Sequence, residues 1–243
     1  KLIVMSATYR QSSRVAPEIL ERDPSNKLYA RGPRFRLSAE QIRDNALSAA
    51  GLLSTKMGGA PIMPFQPSGL WRQTGRNEPK WIESPNEDRF RRGIYIVYRR
   101  AAPYPSMVNF DAPDRSSCVV KRPRTNTPLQ ALTLMNDPAY VEMALALASR
   151  IMHDREDLSV EDRVRYGLRL CLSREARAAE VEQLVKVFES EFQLFQKDSV
   201  AAKELVNSSN RWKPDISVDA AKLAAWFTVA NILMNLDETV TKG

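Results

Sequence analysis

Two proline-marked helix starts, ten residues apart, constrain this chain more tightly than any other feature of its sequence. At Thr127-Pro128-Leu129-Gln130 the Thr127 hydroxyl can accept the backbone N–H three residues on. Pro128 brings the φ that a first helical residue needs, and Gln130 can reach back to close a capping box. Asp137-Pro138 repeats the signal, so a short helix must run into a longer one. Just upstream, Phe110-Asp111-Ala112-Pro113-Asp114 forms an acidic, proline-bent turn. Arg115, Lys121, Arg122 and Arg124 then surround Cys118 before the first of the two helices begins. This is well-specified architecture without a catalytic signature.

Everything downstream reads as helix. After the Asp137 cap, Val141, Ala144, Leu145, Ala148 and Ile151 form one apolar stripe. Ser159 with Asp162 opens a helix bearing Val164, Leu168, Cys171 and Leu172, and Ser173 is expected to cap a long one bearing Val181, Leu184, Val185, Phe188 and Phe195. Residues 198–216 are polar, with Asn207-Ser208-Ser209-Asn210 expected as an exposed loop. A last helix runs from about Val218 and ends near Asn235-Leu236-Asp237-Glu238.

Upstream the chain is irregular. Leu2, Met5 and Tyr9 at helical spacing predict an opening helix over residues 1–12, with no cap before it, as in a piece of a longer polypeptide. A short amphipathic segment near Pro17–Glu21 and a turn at Asp23-Pro24-Ser25-Asn26 follow. Ser38 and Gln41 form a capping box for a helix over 39–50, which Leu37 and Ile42 can staple and Gly51 ends. Residues 54–90 hold too many prolines and glycines for a long element. Yet Met57, Ile62, Met63, Phe65, Leu70, Trp71 and Trp81 lie among them, so the stretch is an ordered loop wrapping apolar side chains onto the body. The fold class expected is mainly α: a multi-helix array or bundle with a long irregular Pro/Gly-rich basic lobe and at most a minor β element. Residues 1–127 form the basic lobe and 128–243 the helical lobe packed on it, together one continuous domain.

Charge divides in the same way. Residues 1–127 hold 22 Lys and Arg against 11 Asp and Glu, and residues 128–243 hold 14 against 18, which recovers the net +7. A basic half favours an acidic partner, whether nucleic acid, an anionic glycan or a neighbouring domain. The plainer expectation is arginines that pair locally. No run approaches the length of a membrane span.

Candidate chemistry is sparse. His153 is the only histidine and falls at a helix end, where its cation suits the dipole; multi-histidine zinc sites are therefore excluded within the chain. No metal site is expected. No Cys-x-x-Cys-His occurs, so the chain attaches no c-type haem of its own. Asp111 and Asp114, three apart across Pro113, are the catalytic candidates, as an acid/base pair or as ligands of a hard cation with Asn136 or Asp137. The plainer alternative is an Asx-turn at Asp111, Asp114 paired with arginines, and Asp137 used as an N-cap. Arg91-Arg92-Gly93-Ile94-Tyr95-Ile96-Val97-Tyr98-Arg99-Arg100 reads either as a strand or as a short helix. Arg91, Arg92, Tyr95 and Tyr98, with Arg124, are the binding candidates, through cation and stacking contacts. The plainer alternative is a buried rod with arginines snorkelling at its ends. Cys171 is expected in the core. Cys118 lies among cations that favour a thiolate, but is likewise expected as a buried structural thiol.

Several strings in fixed order also carry a family resemblance. SATYRQSS at 6–13, RLSAEQIRD at 36–44, Arg91-Arg92, FDAPD at 110–114, Cys118 with Arg124, TNTPLQALTLMNDP at 125–138 and NLDE at 235–238 span nearly the whole length. Together they resemble the planctomycete-specific domain family of unknown function. The motif positions are Tyr9, Arg10, Arg91, Arg92, Asp111, Asp114, Cys118, Arg124, Thr127 and Gln130. That family sits toward the C-terminus of large exported proteins, often behind a cytochrome c domain. The resemblance implies a periplasmic or cell-surface location, haem in another domain of the parent protein, other parent domains as partners, and a link to polysaccharide use. It brings no established activity. The functional expectation is thus a binding or docking module that engages an anionic polysaccharide or a partner domain through the basic lobe, nucleic acid being disfavoured by export. A glycan-directed enzyme domain using Asp111 and Asp114 is the alternative.

Overall fold

A computed structural model describes residues 1–69, 80–100, 102–154, 157–209, 211–214 and 218–242. Leu70 and Trp71 of the expected wrapping loop, Asn210 of the expected exposed loop and part of 198–216 lie outside the described residues. Among those described, eleven α-helices and one two-stranded sheet make a mainly helical protein. They are α1 (Leu2–Met5), α2 (Pro17–Arg22), β1 (Phe35–Arg36), α3 (Ala39–Ala50), α4 (Pro105–Asn109), α5 (Pro128–Asn136), α6 (Pro138–His153), α7 (Val160–Leu172), α8 (Ala178–Lys197), α9 (Ser199–Asn207), α10 (Ala220–Asn235), α11 (Asp237–Val240) and β2 (Thr241–Lys242).

The centre is α10 against α6. Helix α10 is apolar on nearly every side, the pattern of a helix with neighbours all round. Leu223, Ala224, Ala225, Trp226, Val229, Ala230 and Leu233 are all sealed from solvent. Helices α5, α6, α8 and α9 surround it, and α3 crosses α6 from the other side. The alanines of α3 and α6 are buried together in one core cluster with α10, small side chains that let helix axes approach closely. Trp226 fills the space toward α8, its ring 4.4 Å from that of Phe188.

Local signals set several boundaries as expected. The Ser38–Gln41 capping box is formed in both directions, and Gly51 ends α3 in the left-handed region at φ 74°. Asp137 accepts the Ala139 N–H at 2.9 Å, and Ser159 accepts that of Asp162 at 3.1 Å. Cys171 is buried, and burial pushes its thiol up to about 12.

Four expectations fail for identifiable reasons. The opening helix stops at Met5 rather than reaching residue 12. Leu2 is 92% exposed, so the stripe has nothing to bury against, and Ser6 turns its hydroxyl on the Ile3 carbonyl at 2.8 Å. Ser173 does not start the next helix but terminates α7 in the left-handed region at φ 54°. The start of α8 falls instead at Arg177, where Glu180 accepts the Arg177 N–H at 2.8 Å. The polar region after Asp198 contains a helix, α9, which Asp198 caps and which buries Ala202 and Val206. Ser209, expected in an exposed loop, is buried.

The irregular front is stitched by side chains. Arg43 is buried and donates to the Arg91 carbonyl at 2.8 Å and the Arg89 carbonyl at 2.7 Å. Burial pulls its guanidinium below the usual range. The Trp81 indole donates to the Pro64 carbonyl at 2.8 Å, and the Tyr104 hydroxyl to the Phe65 carbonyl at 2.9 Å. Short parallel bridges join Ser54 to Arg91 and Ile62 to Ile96.

Candidate functional site

The Arg91–Arg100 segment settles as neither long strand nor α-helix. A single 3-10 turn, Gly93–Tyr95, sits between the two bridged residues. Gly93 is needed there because an added Cβ would lie 3.0 Å from the Glu40 Cα on α3. Asp44 accepts the Gly93 N–H at 2.6 Å and lies 3.4 Å from Arg92. Arg91 is buried and donates to the carbonyls of Ala60, at 3.1 Å, and Gly58, with its guanidinium 4.0 Å above the Tyr95 ring. Tyr98 donates to the Pro113 carbonyl beneath Arg115, 4.4 Å away. The Tyr95 hydroxyl accepts the Gly58 N–H at 2.9 Å, so Arg91, Tyr95 and Tyr98 are all joined to the protein's own backbone, while Arg92 stays exposed.

The two aspartates part company. Asp111 ends the turn after α4 with φ 61°, a left-handed conformation that aspartate tolerates better than most residues. It accepts the Thr125 N–H at 2.7 Å and the Thr125 hydroxyl at 2.9 Å, with the Gln130 amide at 3.5 Å. Asp114 is exposed and accepts the Ser116 N–H at 2.9 Å, so the Asx-turn lies at Asp114 rather than Asp111. Hydrogen bonds from Ser116 hold the Asp114 carboxyl below the usual range. Asp137 is committed to its cap, and burial raises its carboxyl. Among the described residues, no three His, Cys, Asp or Glu side chains gather as metal ligands.

Gln130 departs from the capping box. Its backbone N–H reaches the Thr127 hydroxyl at 3.4 Å, but its side chain turns away and donates to the Thr125 hydroxyl at 3.0 Å. The reason is Asp111, whose carboxylate draws both Thr125 and the Gln130 amide toward it.

These groups frame a cleft of about 290 Å³. One side is β1 and the first turn of α3, with Arg36, Leu37, Ser38, Ala39 and Ile42. Strand β1 is fixed by antiparallel pairing of Phe35 with Lys242 and Arg36 with Thr241. Opposite runs an exposed strap, Val120–Arg124, with Asp111 and Gln130 between the walls. Three clips hold the strap: both carboxylate oxygens of Glu40 accept from Arg122 at 2.9 and 3.0 Å, Arg124 lies 4.6 Å above the Phe35 ring, and Thr125 is bound by Asp111. Burial pushes the Glu40 carboxyl up, but hydrogen bonds from its own N–H and from Arg122 outweigh that and hold it below the usual range. Cys118 stands exposed just before the strap, so the expected buried thiol is corrected: the turn at Asp114 carries the chain outward before it can reach the core.

Of the site candidates put forward from sequence, the cleft gathers Asp111 and Arg124; Lys121, Arg122 and Gln130, noted there only as neighbours of Cys118 and as a cap, join them, and Arg36 comes in from a distant part of the chain. Arg36 was hidden because nothing local announces a strand whose partner lies some 200 residues away. Buried Arg43, Glu142 and Arg163 were equally illegible. Glu142 accepts the Arg211 and Trp212 N–H groups at 2.7 Å each, and Arg163 donates to the Ile151 carbonyl at 3.0 Å at the end of α6.

No helix among the described residues is long and apolar enough to cross a membrane. A protein-family model, PSD1, described as a protein of unknown function (DUF1553), matches residues 1–188. No curated protein and no solved structure matches the chain.

Proposed function

Because the chain belongs to the PSD1 family, whose description assigns no reaction, we propose a function from the cleft itself: a non-catalytic module that binds an acidic glycan. The observation behind this reading is the convergence of Arg36, Lys121, Arg122 and Arg124 on one cleft, where Asp111 is the single acidic lining residue. Arg122 is neutralised by Glu40, which leaves Arg36, Lys121 and Arg124 to attract an anion. Arg36 has a partial claim on Asp237 at 3.6 Å. An exported setting, with partner domains and haem elsewhere in the parent protein, accords with the sequence resemblance and with a polysaccharide ligand.

The test is retention on an immobilised acidic polysaccharide, such as polygalacturonate, beside a neutral one such as dextran. Retention should occur on the acidic matrix alone and fall steeply with salt. A Lys121→Glu, Arg124→Glu double variant should elute at clearly lower salt. Equal behaviour on both matrices, or no retention, overturns the reading. A glycan-directed enzyme domain is the second reading, favoured by the place of Asp111 in the cleft wall. It requires turnover of a glycan that Asp111→Asn abolishes with the fold intact.

A further inference from the structure

Across the β1–β2 ribbon from the cleft lies a second, larger hollow of about 480 Å³. Ser13, Arg14, Arg34, Arg174, Glu238 and Lys242 are among its lining residues. Gly32 fixes the outer wall: its N–H donates to the Ser12 carbonyl at 2.9 Å, and a side chain in its place would collide with the Gln11 carbonyl oxygen. Residues 11–14 can therefore lie close beside the ribbon. The Ser12 hydroxyl accepts the Arg14 N–H at 3.1 Å and sets the turn that carries Arg14.

The cations of this hollow are only partly spoken for. Arg34 is held by Asp237, and Arg174 by Glu180 and Glu238. Arg14 and Lys242 are exposed and have no carboxylate partner among the described residues. The Lys242 ammonium lies over two rings instead, 4.6 Å from the centre of Tyr9 and 5.8 Å from that of Phe35. Such rings attract a cation without cancelling its charge, so an anion is still drawn to it.

Phe35 joins this hollow to the cleft. Arg124, in the cleft wall, lies 4.6 Å from the same ring centre, which puts it no more than 10.4 Å from Lys242, the 4.6 and 5.8 Å reaches laid end to end. The two spaces are separated by the ribbon alone, with Arg36 lining one, Arg34 the other, and Asp237 beside both. Cations without carboxylate partners thus follow one another across the ribbon: Lys121 and Arg124, then Lys242 and Arg14. A point anion can meet only one of these places, whereas a chain charged at intervals can meet them in turn. A nucleic-acid strand would call for free aromatic faces to stack on, and Tyr9 and Phe35 in this row already carry cations.

We infer that the second hollow is a further anion subsite, and that cleft and hollow together hold successive carboxylates of one acidic glycan chain running over the β1–β2 ribbon. This rests on the glycan reading above and adds to it a second site and a preference for a chain over a single sugar.

The experiment is calorimetric titration of the protein with oligogalacturonates of increasing length, from the disaccharide upward. Affinity should rise by about tenfold or more at the length that first spans both spaces. Arg14→Glu with Lys242→Glu reverses two exposed charges and should abolish the rise, the longest oligomer then binding no better than the shortest. Arg14→Gln alone should remove part of the rise, and it decides the matter if the double reversal misfolds. Lys121→Glu with Arg124→Glu should weaken binding at every length instead. A longer oligomer also has more ways to sit on a single site, so a rise that survives the Arg14 and Lys242 changes overturns the inference, as does no rise at all. Oligothymidylate bound as tightly, with the same dependence on Arg14 and Lys242, would give the track to nucleic acid and overturn it as well. If polygalacturonate is retained but the rise is missing, the second subsite falls and the reading of the cleft stands. If no galacturonate of any length binds, both fall.

Discussion

The back of the molecule, around α6 and α10, and the front, residues 54–69 and 80–127, solve the same problem by opposite means. In the back, backbone polar groups are satisfied within helices, and side chains are free to be apolar. Trp226, Leu223 and Leu233 there are fully buried. In the front, helices are short or absent, so carbonyls must find donors elsewhere. Arginines, a tryptophan and tyrosines supply them: Arg43 to residues 89 and 91, Arg91 to residues 58 and 60, Trp81 to residue 64, Tyr104 to residue 65. The comparison teaches that Arg43 and Arg91, two of the 22 basic residues in the first half, serve as internal scaffolding for loop carbonyls rather than as surface charge.

If that contrast is right, the two regions should fail differently. Trp226→Ala empties the centre of the back and should cost about 3–5 kcal/mol of global stability, read from denaturant melts. An effect confined to one helix would break the comparison. Arg43→Met fills similar volume but strands two carbonyls, and should cost about 2–4 kcal/mol. Its signature should be faster hydrogen exchange in residues 54–69 and 86–96, ahead of any change in α10. Gly93→Ala drives a methyl toward the α3 backbone and should cost about 1–3 kcal/mol, loosening the same segment.

The smaller effects sharpen the picture. Hydrogen bonding from Arg174 holds Glu180 down to about 2, against an ordinary 4.5. Its folded value is depressed, so its contribution is complete above about pH 4.5 and lost as pH falls toward 2. Glu180→Gln should flatten the acid limb of the stability profile by about 1 kcal/mol, since the pair is partly solvated. Ser38→Ala should cost about 1 kcal/mol by removing one half of the capping box.

The sequence reports the back well and the front poorly, for a physical reason. A helix stripe is written in neighbouring residues, so the cores of α3, α6, α7 and α10 could be read directly. The caps at Ser38, Asp137 and Ser159 were just as legible. Where two local signals competed, tertiary contacts decided: Ser173 went to the end of α7, and Gln130 went to Thr125 and Asp111 rather than to its own cap. The cleft was legible only as fragments. Asp111 and Arg124 stood out in their strings, but Arg36 joins them through a strand pair that no short window contains.

That strand pair has a consequence for the order of events during synthesis. Arg36 is held in register by Thr241, and Leu37 donates to the Val240 carbonyl at 2.9 Å, so one wall of the cleft waits on residues made about two hundred positions later. A ribosome could release α3 and α6 to begin packing while this wall is still unfastened. The cleft wall is then completed only once residues 240–242 have been made and have docked on Phe35–Leu37.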